Sequence, residues 1–151
     1  MNLFSRDNAL TLLRWSLGIT FLWFGVLKLF NVSPVLPMIR EALPAFLASS
    51  NLFMFSLAIL EIVIGVLFLI KKFVKLTAII MILHLAVATG SVLITHGFNP
   101  WFPVLSLAGE FVVKNLVLMA AGFVLLVEQS ERSDTISTYE RPDRTVNRKR
   151  A

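Results

Sequence analysis

Four long apolar runs dominate this chain, at about 9–30, 52–70, 76–95 and 110–127. At ~1.5 Å rise per residue, each is long enough to cross the ~30 Å hydrocarbon core of a bilayer as a helix. Spanning strands would need a closed barrel and alternating polarity, and these runs do not alternate. A soluble fold of 151 residues could not hide them. The chain is 57% hydrophobic and 15% charged, against about 45–50% and about 25% in soluble domains. The expected fold is therefore all-α, an integral membrane four-helix bundle. The expected division is a transmembrane domain over 1–128 and a mobile polar tail over 129–151.

The net charge is +5. In a soluble protein that would suggest nucleic acid. Here the basic residues sit at the ends of the apolar runs, where they report topology, and no nucleic-acid partner is expected. Lys71, Lys72 and Lys75 lie between the second and third runs. Arg6 precedes the first, and Arg132, Arg141, Arg144, Arg148, Lys149 and Arg150 follow the fourth. The 95–109 loop holds no lysine or arginine, and the 31–51 connection holds Arg40 beside Glu41. The positive-inside rule then puts both termini in the cytoplasm.

The 31–51 connection is apolar, too short to span, and broken by Pro34, Pro37 and Pro44, so a short interfacial helix is expected there. Residues 98–103, with Trp101 at headgroup level, are expected to form a second interfacial cap. The first run carries Arg14 and Lys28 and is followed by no small-x-small cleavage site, so it reads as a span and not a signal peptide. With no cysteine and two histidines, disulfides, thiol redox chemistry and iron–sulfur clusters are excluded within the chain, and no metal site is expected.

The ionisable residues inside the runs carry the functional information. A charge at the bilayer centre costs at least about 2.5–3.5 kcal/mol, so such groups face the bundle interior and find partners. Glu61 lies ~14 Å from the start of the second run and His84 ~12 Å from the start of the third, both near the midplane. Lys28, Glu110 and Lys114 fall within ~6 Å of the outer boundary. The expected site is thus an outer cluster of Lys28, Glu110 and Lys114 above a midplane pair of Glu61 and His84. Glu110 and Lys114 have the favourable i, i+4 order for a pair. Arg14, near the inner boundary, is expected to snorkel outward as an anchor. Arg14, Gly18, Phe21, Gly25 and Lys28 make one stripe, and its glycines permit close helix approach. Phe21, Trp23 and Phe24 are candidates to pack against a ring.

Several fragments resemble the DoxX-like family of small four-helix membrane proteins. They are Leu17-Gly18-Ile-Thr-Phe21-Leu-Trp23-Phe-Gly25-Val-Leu-Lys28, Glu61-Ile-Val-Ile-Gly65, His84-Leu-Ala-Val-Ala-Thr89 and Gly109-Glu110-Phe-Val-Val-Lys114-Asn115-Leu, spread over about 10–127. The resemblance implies a helical bundle in the cytoplasmic membrane of a prokaryote. For some relatives it also implies a link to quinone-coupled oxidation or to oxidative-stress resistance. Its motif positions here are Gly25, Lys28, Glu61, Glu110 and Lys114. The absence of cysteine prevents any thiol-based role from carrying over.

Three functions stay open on this footing. The first is a redox-associated membrane subunit, with quinone as the candidate cofactor and a redox protein as the candidate partner beside the lipid bilayer. The second is a proton-coupled exporter of small molecules built on Glu61, which a homo-oligomer would suit. The third is a structural subunit that recruits a partner. Whether the chain is itself an enzyme is undecided at this level.

Overall fold

A computed structural model describes residues 5–97 and 106–139, with side chains described as far as 132. Six helices follow in order: α1 Arg6–Leu29, α2 Leu36–Glu41, α3 Ala45–Ala48, α4 Asn51–Leu69, α5 Val74–His96 and α6 Leu107–Tyr139. Four of them, α1, α4, α5 and α6, are long and apolar enough to cross a membrane. The described residues are helical apart from short turns, so the all-α expectation stands.

Local sequence sets the helix ends. Ser5 and Ser50 cap α1 and α4, their hydroxyls accepting from the N–H of Asn8 and Phe53, both at 3.2 Å. Asn31 follows α1 in the left-handed region at φ 57°, which asparagine tolerates better than most residues. The turn from α4 to α5 is tight. Lys71 and Phe73 both take positive φ, at 58° and 51°, and so short a turn makes the two helices antiparallel neighbours. The 31–51 connection folds as two short helices rather than one, because Pro44 has no N–H to continue α2 and instead opens α3. Residues 98–103, expected as a second cap, lie outside the described residues. Helix α6 runs past its apolar stretch to Tyr139.

The bundle is built from two closely packed pairs. Helix α1 lies on α4 and α5 on α6, and the pairs meet along a thinner seam. Glycine makes the first pair possible. A Cβ on Gly65 would stand 2.6 Å from the Leu22 backbone nitrogen and 2.7 Å from the Gly18 carbonyl oxygen. A Cβ on Gly25 would stand 2.8 Å from the Ile62 backbone nitrogen and 2.9 Å from the Ala58 carbonyl oxygen. The two backbones therefore touch, as small-residue stripes allow in membranes.

Leu17, Phe21, Ile64, Phe68 and Met81 fill the end of the bundle near the α4–α5 turn. At the opposite end Met38 of α2 packs with Val92, Ala108, Phe111 and Val112, so α2 closes that end. Large apolar side chains such as Trp15, Trp23, Leu83, Ile94 and Phe123 stay exposed around the circumference. A soluble surface does not carry such a belt; a lipid-facing one does.

Arg14 corrects the snorkelling expectation. It is 8% exposed, and its guanidinium donates to the carbonyl oxygens of Phe68 and of Leu69, the latter at 3.1 Å. These belong to the last turn of α4, where carbonyls lack helical partners and carry negative potential. Arg14→Met is expected to lower stability in mild detergent by about 1.5–3 kcal/mol, the range for hydrogen bonds to a charged group. Thermal unfolding followed by tryptophan fluorescence checks it. At the same end, Arg6 binds Glu128 and reaches Glu131 at 2.9 Å, while Arg132 binds Asp7 and Glu128, the latter at 3.0 Å. This lattice ties the start of α1 to α6.

Candidate functional site

A cavity of about 100 Å³ lies between the two helix pairs, beneath α2. Every spanning helix contributes to it: Lys28 from α1, Glu61 from α4, His84 from α5, Lys114 and Asn115 from α6. Its remaining walls are mostly apolar, with Phe21, Phe24 and Phe111 supplying rings. Ligand sites of this kind have apolar walls and a few convergent polar groups.

The polar groups form a chain across the bundle. The Lys28 ammonium donates to Oε1 of Glu61. The Nε2 of His84 lies 3.2 Å from the same oxygen, so the tautomer with a proton on Nε2 satisfies the contact. All three side chains are largely shielded, at 8%, 6% and 12% exposure for Lys28, Glu61 and His84. The second carboxylate oxygen, Oε2, is buried and has no hydrogen-bond partner among the described residues. Buried polar atoms are nearly always paired, so an orphaned carboxylate oxygen on a residue that lines a cavity marks where a further donor would be received.

Helix geometry explains how Lys28 reaches so deep. Gly25 sits against Ala58 and Ile62. Side chains tilt toward the N-terminus of their own helix, so Lys28, one turn beyond Gly25, leans back to the level of Glu61. Lys28 therefore joins Glu61 and His84 in one triad and does not stand above them.

The other expected site residues are distributed as follows. Lys114 lines the cavity, with its ammonium 3.9 Å from the centre of the Phe24 ring and 4.9 Å from that of Phe111. Glu110 is exposed, does not line the cavity, and makes no ion pair with Lys114. The outer trio is therefore not assembled, because one turn along α6 carries Glu110 away from the seam that Lys114 faces. Trp23 is exposed and belongs to the outer belt, whereas Phe21 and Phe24 line the cavity. Gly25 acts through helix contact, and Arg14 belongs to the opposite end. Asn115 and Thr89, present above only within motif fragments, are not among the expected site residues. Asn115 is fully buried on the cavity wall and donates to the Thr89 hydroxyl at 3.2 Å. A carboxamide in the middle of an apolar run was the available signal. No metal-binding cluster of three or more ligands occurs among the described residues.

The fold and site define a multi-pass helical membrane protein with a buried lysine–glutamate–histidine triad on an apolar cavity. The family model for DoxX matches residues 9–96, more than half of the chain, and the protein belongs to the DoxX family. Lys28, Glu61 and His84 fall inside the matched segment, while Lys114 and Asn115 follow it. No curated protein and no solved structure matches the chain.

Proposed function

We propose that this DoxX-family protein is a redox-associated membrane subunit that binds the headgroup of a lipid-soluble carrier of the quinone class in the cavity beneath α2. The orphaned Oε2 of Glu61, a residue that lines an aromatic-walled cavity, is the observation that carries the reading. Drug-sized ligands take about 300–1,000 Å³ and a cavity of about 150 Å³ takes one benzene ring, so at about 100 Å³ the cavity takes a ring headgroup only if its wall side chains give way, and never a whole ligand.

When bound, a quinone supplies two-electron, two-proton chemistry, with electrons delivered by a partner protein. The residues of this chain have narrower duties. Lys28 and Lys114 offer N–H groups to a carbonyl oxygen. Glu61 and His84, sharing Oε1, hold a proton at the cavity edge and can pass it between them. Phe21, Phe24 and Phe111 exclude water. The packed layer of Leu17, Phe21, Ile64, Phe68 and Met81 separates this cavity from the other end of the bundle, which weighs against a through-route for an exported solute. The charge distribution supports both termini on the cytoplasmic side, and the likeness to the DoxX family supports the cytoplasmic membrane of a prokaryote.

The test is extraction of the full chain in a mild detergent, followed by mass spectrometry of the co-purifying lipids. A quinone is expected in the wild type and is expected to be depleted in His84→Leu. Addition of a short-chain benzoquinone to stripped protein is expected to raise the melting temperature. Absence of quinone together with no thermal response overturns the reading.

A further inference from the structure

The cavity holds more positive charge than it balances. Among the described residues Glu61 is the one carboxylate on its wall, and its Oε1 already receives Lys28 and His84. Lys114 enters the same space from α6 and lies within electrostatic range of both Lys28 and Glu61. No carboxylate pairs with it among the described residues; Glu110, one turn earlier, is exposed and off the cavity. Residues 98–105 add no acidic side chain to the chain. The Lys114 ammonium rests on the faces of Phe24 and Phe111 instead. Ring faces attract a cation but only partly replace its lost hydration. A half-buried ammonium with two ring faces and, among the described residues, no carboxylate in contact is a place prepared for an anion.

The wall shows where the rest of such a ligand would lie. Val87 lines the cavity although it is 71% exposed, and Phe53 and Leu57 of α4 line it beside Val87 of α5. The cavity therefore reaches the lipid-facing surface between α4 and α5.

We propose that the cavity selects an anionic headgroup, the carboxylate or phenolate of a lipid-soluble organic acid, seated on the Lys114 ammonium with its apolar body leaving between α4 and α5. This rests on the cavity being a ligand site, as above, and adds the charge of what it takes; it does not require a quinone. A hydroxyl or protonated acid oxygen on the same headgroup would donate to Oε2 of Glu61. Lys114 then sets specificity by charge and leaves the proton to Glu61 and His84.

The experiment uses the full chain in a non-ionic detergent and measures dissociation constants by equilibrium dialysis. The probes are decanoate against 1-decanol, tribromophenolate against its methyl ether, and a short-chain benzoquinone. Each acid that fits is expected to bind at least about tenfold tighter than its neutral counterpart, as one poorly solvated charge contact allows. Lys114→Met is expected to erase that preference and Lys114→Arg to keep most of it. Preference for decanoate alone identifies a carboxylate, and preference for the phenolate alone identifies a phenol-type ligand. Equal binding of acid and neutral partner, no saturable binding of either acid, or an undiminished preference in Lys114→Met each overturn the proposal. The wild-type comparison decides by itself should the methionine variant fail to fold. Saturable benzoquinone binding without acid preference sinks this inference and spares the quinone reading; acid preference without benzoquinone binding does the reverse.

Discussion

Truncating Glu61 to alanine is expected to cost about 3–5 kcal/mol of stability, the range for removing one partner of a buried ion pair. The loss has little to do with the strength of the pair. Lys28 and Glu61 are both under a tenth exposed, so Glu61→Ala strands an ammonium in a low-dielectric interior, with His84 losing its acceptor as well. The companion result separates structure from function. Lys28→Met combined with Glu61→Leu is expected to recover most of that stability, because well-packed apolar side chains of similar volume often match or exceed a buried pair. Heat unfolding of the wild type and the two variants in one detergent checks both statements. A stable double variant that no longer binds any cavity ligand would show that the triad is kept for binding, at a cost to the bundle. A double variant as unstable as Glu61→Ala would mean that the triad is chiefly what holds the helix pairs together.

Gly65→Leu is the second large effect. Even a methyl group there would stand 2.6 Å from a backbone nitrogen and 2.7 Å from a backbone carbonyl oxygen, and neither can move without shifting α1. The helices must separate or rotate, which takes the loss to about 3 kcal/mol or beyond, the upper end for overpacking. Because α1 carries Lys28, the same shift should uncouple it from Glu61. Gly90 gives the contrast. A Cβ there would meet nothing within 4 Å, so Gly90→Ala is expected to be neutral or to stabilise by about 0.5–1 kcal/mol through helix propensity. Parallel melting curves for the two substitutions test the contact argument, since both replace a glycine within a spanning helix. Equal destabilisation by both would show that the glycines matter through backbone flexibility and not through close approach.

These contrasts mark how far the sequence reaches. Hydropathy, length and the placement of lysines and arginines determined the class of protein: four spanning helices in a bundle, with an interrupted apolar connection after the first. This was legible because in lipid every backbone N–H and C=O must be satisfied within its own segment, so a long apolar run has almost one solution. The same reasoning made Glu61 and His84 conspicuous, since mid-span ionisable side chains are expensive wherever they point.

Helix rotation was not legible. Residues at i and i+4 share a face only approximately, and whether Glu110 or Lys114 meets the cavity depends on how α6 turns against α5. Depth counted along one helix sets Lys28 too high, because it ignores the backward tilt of a side chain and the registry that Gly18, Gly25 and Gly65 impose between α1 and α4. By sequence Arg14 is an anchor for the interface; in the fold its guanidinium binds the carbonyls that end α4. Local composition fixes which side chains must escape lipid, because solvation is a property of each residue. Which of them meet, and therefore what the cavity can hold, is decided by contacts between segments far apart in the chain, and only the packed helices supply those.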